Sequence, residues 1–325
     1  MVNLATIQKP VAAELKDFEP FFRESFKSGI KLLELITNYI YRHKGKQMRP
    51  LLVFLSAKLI RSEIKQSTYV AASMIELLHT ASLVHDDVVD DAYERRGFYS
   101  VFALWKSKIS VLAGDFILSK GLLIAVQYKE YDILEIVSRA VKEMAEGELL
   151  QIEKARKLDI TEEIYFEVIR KKTASLLAAC SEAGAKSANA NEKELEVMRK
   201  FGEYLGIAFQ LKDDLFDYQK VNLTGKPSGN DIKEKKITLP LIYTLNKVSK
   251  KQAKKLFTTL KRNNKENKEI VEIIETVQLN GGLEYTEQQM NKYKQMSVEC
   301  LNYFPDSATK TALIQLVSYV IERNN

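Results

Sequence analysis

Residues 67–97 read STYVAASMIELLHTASLVHDDVVDDAYERRG. Val70, Met74, Leu77, Leu78, Ala81 and Val84 recur at three- and four-residue steps, the period of one face of an α-helix. Beyond them, four aspartates, Asp86, Asp87, Asp90 and Asp91, fall within six positions, and Arg95 and Arg96 follow. On a helix Asp86 and Asp90 point together, with Asp87 close beside them. Two like charges about 4 Å apart repel by ~4 kcal/mol at an effective dielectric of about 20. A helix would not gather such groups beside an apolar stripe unless something positive bound them. Magnesium suits the set, because it prefers hard oxygen ligands and shares its shell between one or two carboxylates, water and a substrate phosphate.

The same helical period runs through YFEVIRKKTASLLAACSEAGA and VMRKFGEYLGIAFQLKDDLFDY. No proline lies between residues 51 and 226, which permits a succession of long helices. Strand-like alternation is scarce, and no Asn-Gly turn separates apolar runs. The expectation is an all-α protein of about a dozen helices, with a loop at residues 220–236 and a break at Asn280–Gly282, forming a single domain over residues 1–325. A net charge of +6 is too small and too scattered for a nucleic-acid footprint. The lysine-rich residues 246–269 read as a solvated helical face. Only Cys180 and Cys300 are present, so no disulfide framework is expected. The start shows no leader pattern, and no window holds about 18 uninterrupted apolar residues. These features point to a cytoplasmic protein without stable membrane insertion.

The acidic cluster has an echo. FQLKDDLFD, residues 209–217, supplies Asp213, Asp214 and Asp217 in the same D-D-x-x-D spacing, again after an amphipathic run. If the two helices pack side by side, their carboxylates face one another across a cavity that could hold several Mg²⁺ ions and a diphosphate. Cations accompany the clusters: Arg95 and Arg96, Lys46 and Arg49 in KGKQMRP, Lys172 and Thr173 in RKKTASL, and Lys226 and Lys236 in TGKPSGNDIKEKK. Guanidinium groups suit bidentate phosphate contact. Each cation alone is more often a surface charge; together they would bind more than one phosphorylated group.

At these residues the chain resembles the trans-isoprenyl diphosphate synthases, the polyprenyl synthetase family. The resemblance runs in order through GKQMRP, the stretch quoted above, VLAGDFILS, GELLQ, KKTASL, FQLKDDLFD and GKPSGNDIKEKKITLP. It implies a homodimeric isoprenoid synthase fold, a helical bundle around a deep central cavity. The implied reaction condenses an allylic diphosphate with isopentenyl diphosphate, using about three Mg²⁺ ions that share carboxylate and phosphate oxygens. By resemblance, Asp86, Asp90 and Asp213 are metal ligands, supported by Asp87, Asp214 and Asp217. Arg95, Lys172, Thr173, Gln210, Lys226 and Lys236 match the allylic diphosphate site. Lys46, Arg49, His79 and Arg96 match the isopentenyl diphosphate pocket, with Gly45 a backbone position beside it. His85 is left as structural. Two positions depart from the family pattern: Lys44 replaces a glycine of the first motif, and Lys235 replaces the glycine before Lys236.

A growing chain would pass along the helix that carries Asp86. Ser82 and Ala81, four and five residues before it, are small, and Leu78, Leu77 and Met74 lie further back. One helical turn of about 5.4 Å is near the span of an isoprene unit, so an open helix implies roughly thirty to fifty carbons. By resemblance, such products become quinone side chains. The alternatives are a short-chain farnesyl or geranylgeranyl diphosphate synthase, with the floor set by a ring such as Phe116, and a regulatory subunit without turnover. A terpene cyclase is disfavoured by KDDLFD, and a regulatory subunit by the presence of both acidic motifs.

Overall fold

The stripe at residues 67–89 forms one long helix, and helices dominate the rest. The computed structural model describes residues 3–157, 160–218, 229–262 and 265–322. Among them are sixteen α-helices: α1 (Leu4–Gln8), α2 (Ala12–Glu24), α3 (Lys31–Arg42), α4 (Met48–Ile60), α5 (Gln66–Val89), α6 (Val101–Tyr128), α7 (Tyr131–Lys157), α8 (Glu162–Ile169), α9 (Ser175–Ser187), α10 (Glu192–Asp217), α11 (Asn230–Lys233), α12 (Leu239–Lys247), α13 (Lys250–Lys261), α14 (Asn267–Leu279), α15 (Gly282–Cys300) and α16 (Ala308–Ile321). The all-α expectation holds. The chain divides into two compact units, the first built from Met1–Val141, Leu176–Gly202 and Leu301–Leu316, the second from Lys142–Ser175, Glu203–Cys300 and Val317–Asn325.

In the first unit α4 is a core helix. Residues Leu51 to Leu55 and Ala57 are almost wholly excluded from solvent. The rings of Phe18 and Phe22 on α2 stack at 5.3 Å, and Phe54 meets Phe18 edge-on at 5.5 Å. Burying each such ring contributes about 1.5–3 kcal/mol. α4 packs on α5, and α5 runs along α6. Val70, Met74 and Leu77 of α5 have no exposed surface, so the apolar stripe read from the sequence is the packed face. This packing brings Asp86 to the last turn of α5.

Two short strands follow. β1 (Glu94–Arg95) pairs antiparallel with β2 (Phe98–Tyr99). The two central residues, Arg96 and Gly97, have φ of 55° and 80°, the left-handed pair that closes a two-residue hairpin. The sequence reading expected no hairpin, because an arginine does not advertise that conformation.

A second difference concerns α6. By length and composition it could cross a membrane, with a mean hydropathy of 1.9 over its most apolar window. Isolated charges such as Asp115 break the apolar run, so no unbroken stretch of spanning length exists, yet the mean stays high. About a third of that window is buried within the protein.

The second unit centres on α12, which packs against α8, α14 and α15. Tyr243 and Tyr285 stack at 4.3 Å, and the Tyr285 hydroxyl donates to Glu162 at 2.6 Å. Between α8 and α9 the chain makes a π-helical turn, Arg170–Ala174. Such turns hold one residue more than an α-turn and recur at functional sites.

Candidate active site

In the second unit, one cleft is lined by Lys172, Thr173, Gln210, Asp214, Asp231 and Lys236 among others. Four of these, Lys172, Thr173, Gln210 and Lys236, are phosphate-site residues expected from the sequence. The π-turn delivers Lys172 and Thr173. The Thr173 hydroxyl donates to Gln210 Oε1 at 2.8 Å, and Gln210 Nε2 donates to Asp214 Oδ1 at 2.9 Å. The Tyr165 hydroxyl donates to Asp214 Oδ2 at 2.5 Å. Asp214 is thus held at both oxygens by neutral donors. Burial pushes its carboxyl up to about 7, against the pull of the Tyr165 and Gln210 hydrogen bonds.

Lys172 Nζ donates to Gln151 Oε1 at 2.8 Å and forms an ion pair with Glu148. Both partners lie on α7, in the GELLQ segment. Gly147 of the same segment lets α7 approach closely: a Cβ there would stand 2.7 Å from the Lys172 amide nitrogen.

Asp217 shapes the chain. Its Oδ1 accepts the Gly229 N–H at 3.2 Å and its Oδ2 the Asp231 N–H at 3.1 Å. Burial, and then the Asp217 charge, push the Asp231 carboxyl up to about 6. Lys236 turns its amide to the Asp231 carbonyl at 2.8 Å and its ammonium to Glu234 at 2.6 Å. Lys235, where the family carries glycine, has a left-handed φ of 61°. That conformation costs a side chain about 1–2 kcal/mol, so the turn is kept without the residue that suits it best. Lys226 lies outside the described residues.

The first unit has its own cleft, lined among others by Gly45, Glu76, His79, Asp87, Arg95 and Arg96. Asp86 and Asp90 are exposed at the end of α5, and the Asp90 amide bonds the Asp86 carbonyl at 2.8 Å. Asp87, one residue on and about 100° around the helix, is 2% exposed and accepts from Arg95 Nε at 2.6 Å. Burial raises its carboxyl, while Arg95 acts in the opposite sense. Arg96 lies over Gly45: a Cβ there would sit 2.5 Å from its Nη1, so only glycine leaves room for this contact. Lys46 is exposed just before α4. Lys44, the other departure, pairs with Glu19 and lies over the Tyr41 ring at 4.2 Å.

Several polar atoms in and beside this cleft are buried with no hydrogen-bond partner: Gln47 Nε2, Arg49 Nε, Glu76 Oε2 and His79 Nδ1. Burial drives His79 well below the ordinary histidine range, Arg49 down and Glu76 up. Buried polar groups are nearly always paired, so this concentration marks a ligand position.

His85 sits in the seam with α6, its Nε2 at 3.2 Å from the Val111 carbonyl and 3.5 Å from Asp115. Of the residues expected to govern product length, Met74 is wholly buried, Leu78 and Ala81 are 6% and 3% exposed, and Ser82 is half-buried with its hydroxyl on the His79 carbonyl. Tyr165, Glu76, Gln151, Glu148 and Asp231 were not singled out from the sequence. Glu148 and Gln151 lie within the quoted GELLQ and Asp231 within GKPSGNDIKEKKITLP, and Glu76 stands one turn before His79 on the same helix face; Tyr165 had no such signal.

Among the described residues, no group of three or more His, Cys, Asp and Glu side chains is set to hold a metal alone. Magnesium does not need one, since it takes one or two carboxylates and completes its shell with water and phosphate. Asp86 and Asp90, one turn apart and exposed, supply hard oxygen donors of that kind.

The polyprenyl synthetase family model matches residues 30–277. The chain belongs to this family. It is 34% identical to octaprenyl diphosphate synthase of Escherichia coli, over 99% of this chain and all of that one. Its fold superposes on polyprenyl synthase of Caulobacter crescentus, complexed with calcium and isoprenyl diphosphate, with a TM-score of 0.90, 30% identity and 99% and 98% of the two chains covered. Geranylgeranyl pyrophosphate synthase of Bacteroides thetaiotaomicron is 41% identical, with a TM-score of 0.84 and coverage of 98% and 99%. The isoprenoid synthase fold expected from the motifs is thereby established.

Proposed function

We propose that this protein is a trans-prenyltransferase that condenses an allylic diphosphate with isopentenyl diphosphate to make a long-chain polyprenyl diphosphate. The observation that carries the reading is the buried, unpartnered Gln47 and Arg49 donors, with the unpartnered His79 Nδ1 able to donate in one tautomer, beside Gly45 and Arg96. These donors suit an anion, and isopentenyl diphosphate carries one. The allylic diphosphate is assigned to Lys172, Thr173, Gln210, Lys226 and Lys236, with Arg95 as a further contact.

Asp86, Asp90 and Asp213 would hold magnesium, about three ions in the family pattern of shared carboxylate and phosphate oxygens. When bound, magnesium supplies positive charge against the leaving diphosphate. Asp87, Asp214 and Asp217 support these ligands by holding Arg95, Gln210 and the chain at residue 229 in place. Lys172, restrained by Gln151 and Glu148, offers its ammonium to the diphosphate as the carbon–oxygen bond breaks. The electron pair of that bond leaves with the diphosphate. The isopentenyl double bond attacks the allylic cation, a carbon–carbon bond forms, and the proton lost from the neighbouring carbon passes to the released diphosphate. Apolar walls such as Phe22, Phe26 and Leu83 keep water from the cation.

We assign the chain to the cytoplasm as one functional domain of a homodimer. The outer face of α6 supports the dimer: Leu112, Leu122, Leu123 and Val126 are between 43% and 56% exposed. Exposed apolar side chains gathered along one helix, here with Asp115 and Ser119 among them, mark interaction surfaces. Light scattering that gives a monomer would remove this assignment.

Chain length decides between two products. Ala81 and the likeness to octaprenyl diphosphate synthase favour roughly thirty to fifty carbons. The 41% identity to a geranylgeranyl pyrophosphate synthase favours the short-chain reading. Incubation with farnesyl diphosphate, labelled isopentenyl diphosphate and Mg²⁺, followed by chromatography, separates them. Absence of any elongated product overturns the proposal. A use in quinone side chains is the downstream expectation for the long product.

A further inference from the structure

The first unit's cleft contains a group that sits oddly in a site for an anion. Glu76 projects into it from α5, with Oε2 buried and without a donor. The charges around it can be counted. Arg95 is bonded to Asp87 and Lys44 to Glu19. Arg49 and Arg96 have no carboxylate within 4 Å among the described residues. The charges that act on Glu76 are those of Arg49, Arg96 and Lys44; those that act on Arg49 are Glu76 and Arg96. Glu76 is therefore the carboxylate that acts on Arg49, and it feels Arg96 as well, while the two arginines repel one another. An isolated buried charge is expensive, whereas a buried pair offsets part of that cost.

We propose that Glu76 is a resident counter-anion, which balances Arg49 and Arg96 while the cleft is empty and yields that role to an incoming diphosphate. The inference rests on the reading of this cleft as the isopentenyl diphosphate pocket. Glu76 then acts through its charge: it offsets the repulsion between the guanidinium groups between turnovers and opposes the diphosphate once bound. A merely structural glutamate would, on removal, weaken binding. A counter-anion would, on removal, strengthen it.

The test is calorimetric titration of inorganic pyrophosphate without divalent metal, with thermal melting alongside. Glu76→Gln is expected to lower the ligand-free melting temperature, to bind pyrophosphate about three- to tenfold more tightly, as one fewer nearby charge implies, and to melt like wild type once saturated. Glu76→Asp, with its carboxylate one methylene further away, should move in the same direction by less, and carries the test if the glutamine variant does not fold. Arg49→Met should abolish the titration and so identify the cleft being filled. Equal or weaker binding by the Glu76 variants, with wild type binding normally, overturns this inference alone. If wild type does not bind pyrophosphate here, the reading of the pocket falls with it.

Discussion

Tyr165 and Asp214, 49 positions apart in sequence, meet through a 2.5 Å hydrogen bond in the interior of the second unit. The acid belongs to the second D-D-x-x-D cluster, yet its side chain faces inward and both its oxygens are taken. Each cluster in fact divides its labour. Asp87 and Asp214 are the buried members, 2% and 3% exposed, and both are engaged by neighbouring side chains.

Removal of the tyrosine hydroxyl should therefore act on stability as well as turnover. Tyr165→Phe leaves Asp214 Oδ2 buried without its donor, at a cost of about 1–3 kcal/mol. Denaturant melts should show that loss, and kcat should fall more than the affinity for isopentenyl diphosphate. An unchanged melt would remove Tyr165 from the account.

The same carboxyl gives a pH dependence. Its folded value, about 7, stands above the ordinary aspartate range, so between the two the native state binds the extra proton. The stability it contributes is full below the unfolded value and is lost as pH rises through about 7. Metal-free protein should thus lose stability from pH 4 to 7 more steeply than Asp214→Asn. Parallel slopes would contradict the assignment.

Gly147 is expected to be intolerant of even one methyl group. Gly147→Ala drives a Cβ to 2.7 Å from the Lys172 amide, and the backbone must give. Overpacking of this kind costs about 1–3 kcal/mol. The displaced lysine should raise KM for the allylic diphosphate while KM for isopentenyl diphosphate stays near wild type. Steady-state kinetics with each substrate varied would check this.

Asp86→Ala and Asp213→Ala should each lower kcat by about a hundredfold or more, the scale of losing an electrostatic contact to the transition state. Asp91→Ala, outside the D-D-x-x-D set and in a left-handed turn at φ 48°, should leave kcat within about twofold, as surface changes away from a site usually do. Full activity in either of the first two variants would refute the proposed ligand assignment.

Ala81→Phe places a ring where the side chain is now 3% exposed, one turn before the first cluster. The product should shorten by at least one isoprene unit, read by chromatography. An unaltered product would mean that the chain grows along another wall.

Much of this was legible in the sequence because it is local. The apolar period of residues 70–84 gave α5 and its buried face, and the repeated aspartate spacing marked both acidic helix ends. What sequence could not give depends on direction or distance. Nothing in DD says which aspartate turns inward; the packing of the helix decides that. Tyr165 and Asp231 acquire meaning only when folding brings them beside Asp214 and Asp217. The hairpin was hidden because Arg96 takes a conformation that its residue type disfavours.

The five-residue turn at Arg170–Ala174 has one more consequence. Deleting Arg170 or Lys171 would let the segment relax into ordinary helix and swing Lys172 and Thr173 by about 100° relative to α8. Substitutions in this stretch can be absorbed one side chain at a time, whereas a change in its length cannot. Along this part of the chain, spacing is guarded more closely than chemical identity.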